Sequence, residues 1–162
     1  MITTKTFWRI IISGFIATYV MMMTAFLQGG VGLPVIDVGH ILKTSFNFVH
    51  GTETYSIVWG NAAYFIMGLI LALIWVVFLQ KRTPGNWLIQ GILYGVAISI
   101  MAGLIIAPLA ARATGDTFGI FYMDTWAPFI ILLGGLVMHL SYGIVLTLCL
   151  KVAGVYGPDD IV

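Results

Sequence analysis

The chain has 162 residues, of which 60% are hydrophobic and only 8% are charged, and its mean hydropathy is +1.06. Soluble domains usually have about a quarter of their residues charged, so this composition excludes an ordinary soluble domain and indicates an integral membrane protein in a lipid bilayer. The formal net charge of +1 provides no basic surface for nucleic acid. The single cysteine, Cys149, excludes an internal disulfide and a cysteine-based metal cluster.

The first apolar run extends from Phe7 to about Gly29 and follows Lys5 and Arg9. At about 1.5 Å per residue, it is long enough for a helix to cross the roughly 30 Å hydrocarbon layer. It exceeds the apolar part of a signal peptide and lacks a small-residue cleavage site, so we expect a retained helix. Glycines and Pro34 end it, and apolar residues at helical spacing over 38–49 predict a short interfacial helix.

Three further runs predict transmembrane helices at about 57–79, 87–110 and 128–150, and a tight turn at 83–86 separates the first two of them. The predicted fold is an all-α, four-transmembrane-helix bundle that forms a single membrane domain over residues 1–162. The third run has a small residue at every fourth position: Gly91, Gly95, Ser99, Gly103 and Ala107. Such a ridge predicts that a neighbouring helix approaches closely.

The basic residues near the predicted span ends predict an orientation. Five lie on the side of the two termini and the loop at 83–86, namely Lys5, Arg9, Lys81, Arg82 and Lys151. The other side has two, Lys43 and Arg112. Because cytoplasmic loops carry the excess of Lys and Arg, we expect a multi-pass protein of the cytoplasmic (inner) membrane with both termini in the cytoplasm.

The second and fourth predicted helices share a pattern of glycine, aromatic residue and glycine at four-residue intervals. The matching pairs are 75 residues apart: Gly60 and Gly135, Tyr64 and His139, Gly68 and Gly143. Two duplicated helical hairpins would produce this pattern, and so would chance, because glycine is common in transmembrane helices. A duplication would place Tyr64 and His139 at similar depth, where hydrocarbon favours a hydrogen-bonded polar pair.

His139 is the only ionisable side chain near the middle of a predicted span, and three roles are open to it. The favoured role is a neutral histidine that hydrogen-bonds Tyr64, Ser99, Ser141 or a backbone carbonyl. The second is a ligand to haem b, although His40 and His50 lie in the connector and offer no facing histidine. The third is a proton-relay or substrate contact, which the lack of a carboxylate within the spans disfavours.

Other chemical patterns are weak. Asp37, His40, His50 and Glu53 follow no standard metal motif, so solvated surface groups are the favoured interpretation and no metal site is predicted. The sequence contains no nucleophile elbow, phosphate-binding loop or His-Glu-x-x-His helix. We therefore expect no enzymatic activity and no catalytic residue.

Two short motifs carry a resemblance. The run Gly-Leu-Pro-Val-Ile-Asp-Val-Gly at 32–39 follows a Met-rich first helix, and Met138-His139 precedes Gly143 in the fourth. With these motifs the chain resembles an uncharacterised family of small four-helix bacterial membrane proteins. The resemblance implies the four-helix fold over nearly the whole chain, and it implies no activity, cofactor or site residue.

These patterns favour a non-enzymatic accessory or structural subunit of a larger membrane complex, for example one of respiratory or photosynthetic electron transport. The chain has little soluble mass, few polar groups within its spans, and more glycine-ridged surface than four helices need among themselves. The predicted partners are lipid and other membrane subunits, or a second copy. The alternative is a small haem-binding or transport protein that uses His139.

Overall fold

The computed structural model describes residues 2–32, 53–106, 109 and 127–156. All regular structure in these residues is helical, and four helices are long and apolar enough to cross a membrane. This confirms the predicted all-helical fold with four apolar helices. The interfacial helix predicted at 38–49 lies outside the described residues, as do Asp37, His40 and His50.

The helices follow the apolar runs closely, and each extends a little beyond the hydrophobic stretch or changes its winding near the end. Helix α1 is Thr4–Gly30, α2 is Glu53–Ile74, α3 is Trp87–Met101 and α4 is Ala127–Val152. Helix α2 continues as a π-helical segment, Trp75–Leu79, and a 3₁₀ turn, Gln80–Arg82, whereas α3 continues as a π-helical segment, Ala102–Ile106. The candidate spans are Thr4–Gly30, Val58–Arg82, Trp87–Ile106 and Leu132–Val152.

Local sequence explains where helices α1, α3 and α4 begin or end. The hydroxyl of Thr3 accepts from the Thr6 amide, and the Asn86 side chain accepts from two amides in the first turn of α3. Gly154 ends α4 with a positive φ of 68°. Its amide donates to the Lys151 carbonyl, and the next amide donates to the Leu150 carbonyl, as in a Schellman cap.

Helix α4 packs most extensively, against α3 and α1, and α1 also packs against α2. The backbones of α2 and α3 stay further apart, although a short turn joins them. The buried apolar core contains Ile10, Ala17, Met21, Ala72, Trp75, Tyr94, Ile98, Met138, Tyr142, Leu146, Leu150 and Tyr156. We call the end that carries Lys5, Arg9, Lys81, Arg82 and Lys151 the basic end and the opposite end the far end.

The α3–α4 crossing depends on three glycines whose backbones touch. A Cβ added to Gly143 would collide with the Gly91 carbonyl oxygen and would lie 2.8 Å from the Gly95 nitrogen. A Cβ on Gly95 would lie 2.7 Å from the His139 carbonyl oxygen. Because backbone atoms cannot move aside as a side chain can, only glycine allows this distance between the helix axes.

The α1–α2 crossing is also close, but side chains set its distance. A Cβ added to Gly14 would lie 2.8 Å from the Cβ of Ala72, and one added to Gly68 would collide with the Thr18 hydroxyl. Thr18 is fully buried and donates its hydroxyl to the Gly14 carbonyl at 2.7 Å. Gly14 and Thr18 were not among the packing residues that the sequence pattern singled out.

Contacts at the basic end tie the helix ends together. The Trp75 indole N–H donates to the Tyr156 hydroxyl at 3.3 Å, which holds the segment after α4 against the end of α2. The Lys151 ammonium lies 5.3 Å from the centre of the Trp87 ring, within the range of a cation–π contact. The Gln90 amide donates to the Thr83 carbonyl at 2.8 Å and so braces the turn between α2 and α3.

Candidate polar site beside Gly134 and Gly135

The His139 ring is hydrogen-bonded within its own helix. Its Nδ1 lies 2.6 Å from the Gly135 carbonyl oxygen, four residues earlier. A carbonyl oxygen only accepts, so Nδ1 must carry the proton and donate. The neutral ring therefore has its lone pair on Nε2, which makes Nε2 an acceptor or a ligand atom. No second hydrogen bond to the ring occurs in the described part of the chain.

Gln28 of α1 has the same incomplete pairing on the neighbouring carbonyl. Its Nε2 donates to the Gly134 carbonyl oxygen at 3.1 Å, and the side chain is 8% exposed. Because that carbonyl can only accept, the amide nitrogen faces it and Oε1 points elsewhere. Oε1 is buried and has no hydrogen-bond partner among the described residues. Such an acceptor costs free energy unless a donor reaches it.

The two side chains thus flank one pair of glycines and each leaves an acceptor unpaired. A Cβ added to Gly135 would meet no described atom within 4 Å. Gly135, His139 and Tyr142 are spaced as i, i+4 and i+7 and share one face of α4. Tyr142 on that face donates to the Gly68 carbonyl of α2 at 2.6 Å, so this face of α4 is turned toward α2.

The hydroxyls closest in sequence to Gln28 and His139 are those of Thr24 and Ser141, and both already donate hydrogen bonds. Thr24 of α1 lies 2.9 Å from the Val20 carbonyl oxygen and 3.2 Å from the Ser141 hydroxyl, and Ser141 donates to the Met138 carbonyl at 2.7 Å. These bonds join α1 to α4 one turn from Gln28. They leave neither hydroxyl proton to serve the unpaired acceptors.

Aromatic rings close the space between α2, α3 and α4 on the side toward the basic end. The centroids of Tyr94 and Tyr142 are 6.4 Å apart, and those of Trp75 and Tyr94 are 4.6 Å apart. The Tyr94 hydroxyl donates to the Leu71 carbonyl of α2 at 2.7 Å. The hydroxyls of Tyr94 and Tyr142 therefore both donate to backbone carbonyls of α2 and link this helix to α3 and α4.

The predicted pair of Tyr64 and His139 does not use the Nδ1 of the histidine ring, because that atom is hydrogen-bonded to the Gly135 carbonyl oxygen. Among the roles weighed for His139, the bond observed is the one to a backbone carbonyl. Tyr64 is half-buried and packs against the core, and it lies one turn before Gly68 on α2. Since His139 lies about one turn before Tyr142, which contacts Gly68, both side chains occur at similar depth.

The glycines of the predicted ridges divide into two groups. Gly68, Gly91, Gly95 and Gly143 lie at the two close crossings. Gly135 meets no described neighbour, and a Cβ on Gly103 would lie 3.8 Å from Leu132, an ordinary contact. Gly60 is buried and Ser99 is half-buried. The close packing predicted at Gly135 is therefore absent among the described residues, because its four-residue ridge rotates away from α3 by about 40° per step.

The chemistry available at this site is that of a hydrogen-bond acceptor and single nitrogen ligand. In the described residues, no three His, Cys, Asp or Glu side chains come together in a way that could hold a metal ion. His139 could supply one axial ligand to a haem through Nε2, and its Nδ1–H bond to a carbonyl is the contact that commonly orients such ligands. The other two histidines of the chain, His40 and His50, lie outside the described residues.

His139 lies within the candidate span Leu132–Val152, in a helix that the sequence predicted. The sequence analysis did not identify Gln28, Tyr94 and Tyr142 as polar contacts. Gln28 could have been noticed, because an amide inside an apolar run requires a partner in hydrocarbon. The tyrosines gave no such signal, since their rings also suit an ordinary apolar core.

Comparisons with protein-family models, curated proteins and solved structures find no match to this chain.

Proposed function

We propose that the protein is a non-enzymatic accessory or structural subunit that packs within a larger membrane complex. The observation that carries this proposal is the small buried share of α2. Only 17% of its most apolar 18-residue window is buried inside the chain, compared with 33% for α1 and α4. A helix that leaves most of its surface outside the bundle offers a long apolar face to another transmembrane helix.

The proposed partner surface is the outer face of α2. It contains large apolar side chains that are 38–55% exposed, Ile66, Met67, Ile70 and Ile74. They recur at three- and four-residue spacing, so they line one side of the helix. The partner is thus an apolar membrane helix, and complexes of respiratory or photosynthetic electron transport are the first candidates to be examined.

A site-specific photo-crosslinking experiment tests this surface. A photoreactive residue at Met67 is expected to form a defined adduct with a partner subunit, or with a second copy, in native membranes. The matched control carries the same residue at Leu148, which is 40% exposed on α4. A protein that migrates only as a free monomer in mild detergent, with equal crosslinking from both positions, would refute the proposal.

The two crossings support a duplication of one hairpin, which we propose as the origin of the fold. Gly14 opposite Ala72 corresponds to Gly91 opposite Thr147, and Thr18 opposite Gly68 corresponds to Gly95 opposite Gly143. The offset is 77 residues from α1 to α3 and 75 from α2 to α4. Both hairpins would then insert in the same direction, related by a pseudo-two-fold axis along the membrane normal.

We also propose the inner membrane as the location, with both termini in the cytoplasm. The support is the basic end, where the start of α1 and the end of α4 meet and where Lys5, Arg9, Lys81, Arg82 and Lys151 are found. Positive charge at one end of a bundle favours the cytoplasmic side.

A second candidate function is favoured by the free Nε2 of His139, namely binding of haem b or contact with a transported substrate. The test for haem is optical. A haem ligated by His139 would give a Soret band in the purified protein, and His139→Ala would remove it. A colourless preparation would leave transport, measured as flux into proteoliposomes with His139→Ala as the control.

A further inference from the structure

We infer that the basic end of the bundle binds the headgroup of an anionic phospholipid, at the corner where the start of α1 meets the end of α4. The residues that we assign to this contact are Arg9 and Lys151, with Lys5 beside Arg9 on α1. The inference goes beyond the proposed subunit role and does not depend on it, because the outer face of α2 takes no part.

Two contacts define this corner. The Nη1 atom of Arg9 lies 3.7 Å from the position of a Cβ built on Gly154, the residue that ends α4. Lys151 lies in the last turn of α4, and its ammonium lies 5.3 Å from the centre of the Trp87 ring at the start of α3. A guanidinium from α1 and an ammonium from α4 are thus both held at the last turn of α4.

The positive charge of this corner is not compensated by the described residues. Glu53, at the start of α2 and therefore at the far end, is the only acidic residue in the described ranges. Arg9 is half-buried and makes no ion pair with a described residue, and Lys5 is exposed one turn earlier on the same face of α1. The C-terminus of α4 supplies only about half a negative charge. A bound anion would therefore relieve the repulsion between these cations.

The depth of the corner indicates that the anion is a lipid headgroup. At the basic end, the candidate spans begin at Thr4 and Trp87 and end at Arg82 and Val152. The span of α1 has 27 residues and is about 40 Å long, so its terminal turns extend beyond the roughly 30 Å hydrocarbon layer. Basic side chains between transmembrane helices at this depth suit the phosphate of an anionic lipid.

The experiment measures lipid binding by the full chain in mild detergent. The probes are phosphatidylglycerol and phosphatidylcholine with identical acyl chains, and native mass spectrometry of the protein–lipid complexes gives the Kd for each. We expect phosphatidylglycerol to bind at least roughly tenfold more tightly, because only its headgroup has a net negative charge. Glycerol phosphate, which has the same kind of phosphate without acyl chains, should not displace it at equal concentration.

Variants locate the contact. Each basic residue near an anionic lipid strengthens the attraction roughly fivefold, so Arg9→Gln and Lys151→Gln should each weaken phosphatidylglycerol binding by about that factor. Arg9→Lys retains the charge and should restore most of the binding. Arg112→Gln removes one positive charge from the connector between α3 and α4, and this control should change binding by less than about twofold. Circular dichroism establishes that each variant is folded.

Equal binding of the two lipids, displacement of phosphatidylglycerol by glycerol phosphate, or equal effects of Arg112→Gln and Arg9→Gln would each overturn the inference. The rival partner for the corner is the pair Asp159 and Asp160, which follows the described residues in the sequence. If the native chain shows no lipid preference and the double variant Asp159→Asn, Asp160→Asn shows one, these carboxylates are the partner and the inference is wrong.

Discussion

Replacing Gly143 with alanine should loosen the α3–α4 crossing at a cost that the geometry sets. The new Cβ would lie 2.8 Å from the Gly95 nitrogen and 3.1 Å from its Cα, and closer still to the Gly91 carbonyl oxygen. Ordinary contact begins at 3.4 Å, so relieving the 2.8 Å contact with the Gly95 nitrogen alone requires a shift of about 0.6 Å, and relieving the contact with the Gly91 carbonyl oxygen requires more. Overpacking of this kind costs about 1–3 kcal/mol.

The assay is reversible unfolding in mixed micelles, followed by circular dichroism as a denaturing detergent is added. Gly143→Ala should lower the free energy of unfolding by about 1–3 kcal/mol. Gly103→Ala is the matched control, because its Cβ would make only an ordinary 3.8 Å contact with Leu132. Alanine favours helix by about 0.5–1 kcal/mol over glycine, so the control should be neutral or stabilising. Equal stability of the two variants would refute the reasoning.

Three further predictions follow from other contacts. Gly68→Ala should destabilise the α1–α2 crossing, because the added Cβ collides with the Thr18 side chain. Adding Thr18→Ala should restore part of the lost stability, and a double variant less stable than both single variants would contradict this. Tyr142→Phe and Tyr94→Phe should each lower unfolding free energy by about 0.5–1.5 kcal/mol in the same assay, since each loses one hydrogen bond to the α2 backbone. A reporter that works only in the cytoplasm should be active when it is fused to either terminus. An alkaline phosphatase fusion that is active at either terminus would contradict the predicted orientation.

The sequence alone was sufficient for the four helices, because long apolar runs have few alternatives to a helix in lipid. It also indicated the glycines of the α3–α4 crossing, since small residues at four-residue spacing on α3 matched those on α4. It did not indicate which glycines would lack a neighbour. Gly135 and Gly143 look alike in the sequence, and only the crossing angle decides that one of them meets α3.

The candidate site was predicted in part for a related reason. A histidine within a span must satisfy its polar atoms, and the sequence allowed partners on several helices. The observed partner is the carbonyl four residues earlier, a local bond that needs no other helix. Gln28 contributes to the site only because α1 packs against α4 rather than against α3, and no pattern within α1 specifies that arrangement.

The contact between Trp75 and Tyr156 bears on how the protein is made. The two residues are 81 positions apart, which at roughly 5–20 residues per second corresponds to about 4–16 s of synthesis. During that interval the indole N–H of Trp75 has no Tyr156 hydroxyl to receive it. The contacts at the basic end of the bundle are therefore complete only after the segment that follows α4 has been synthesised.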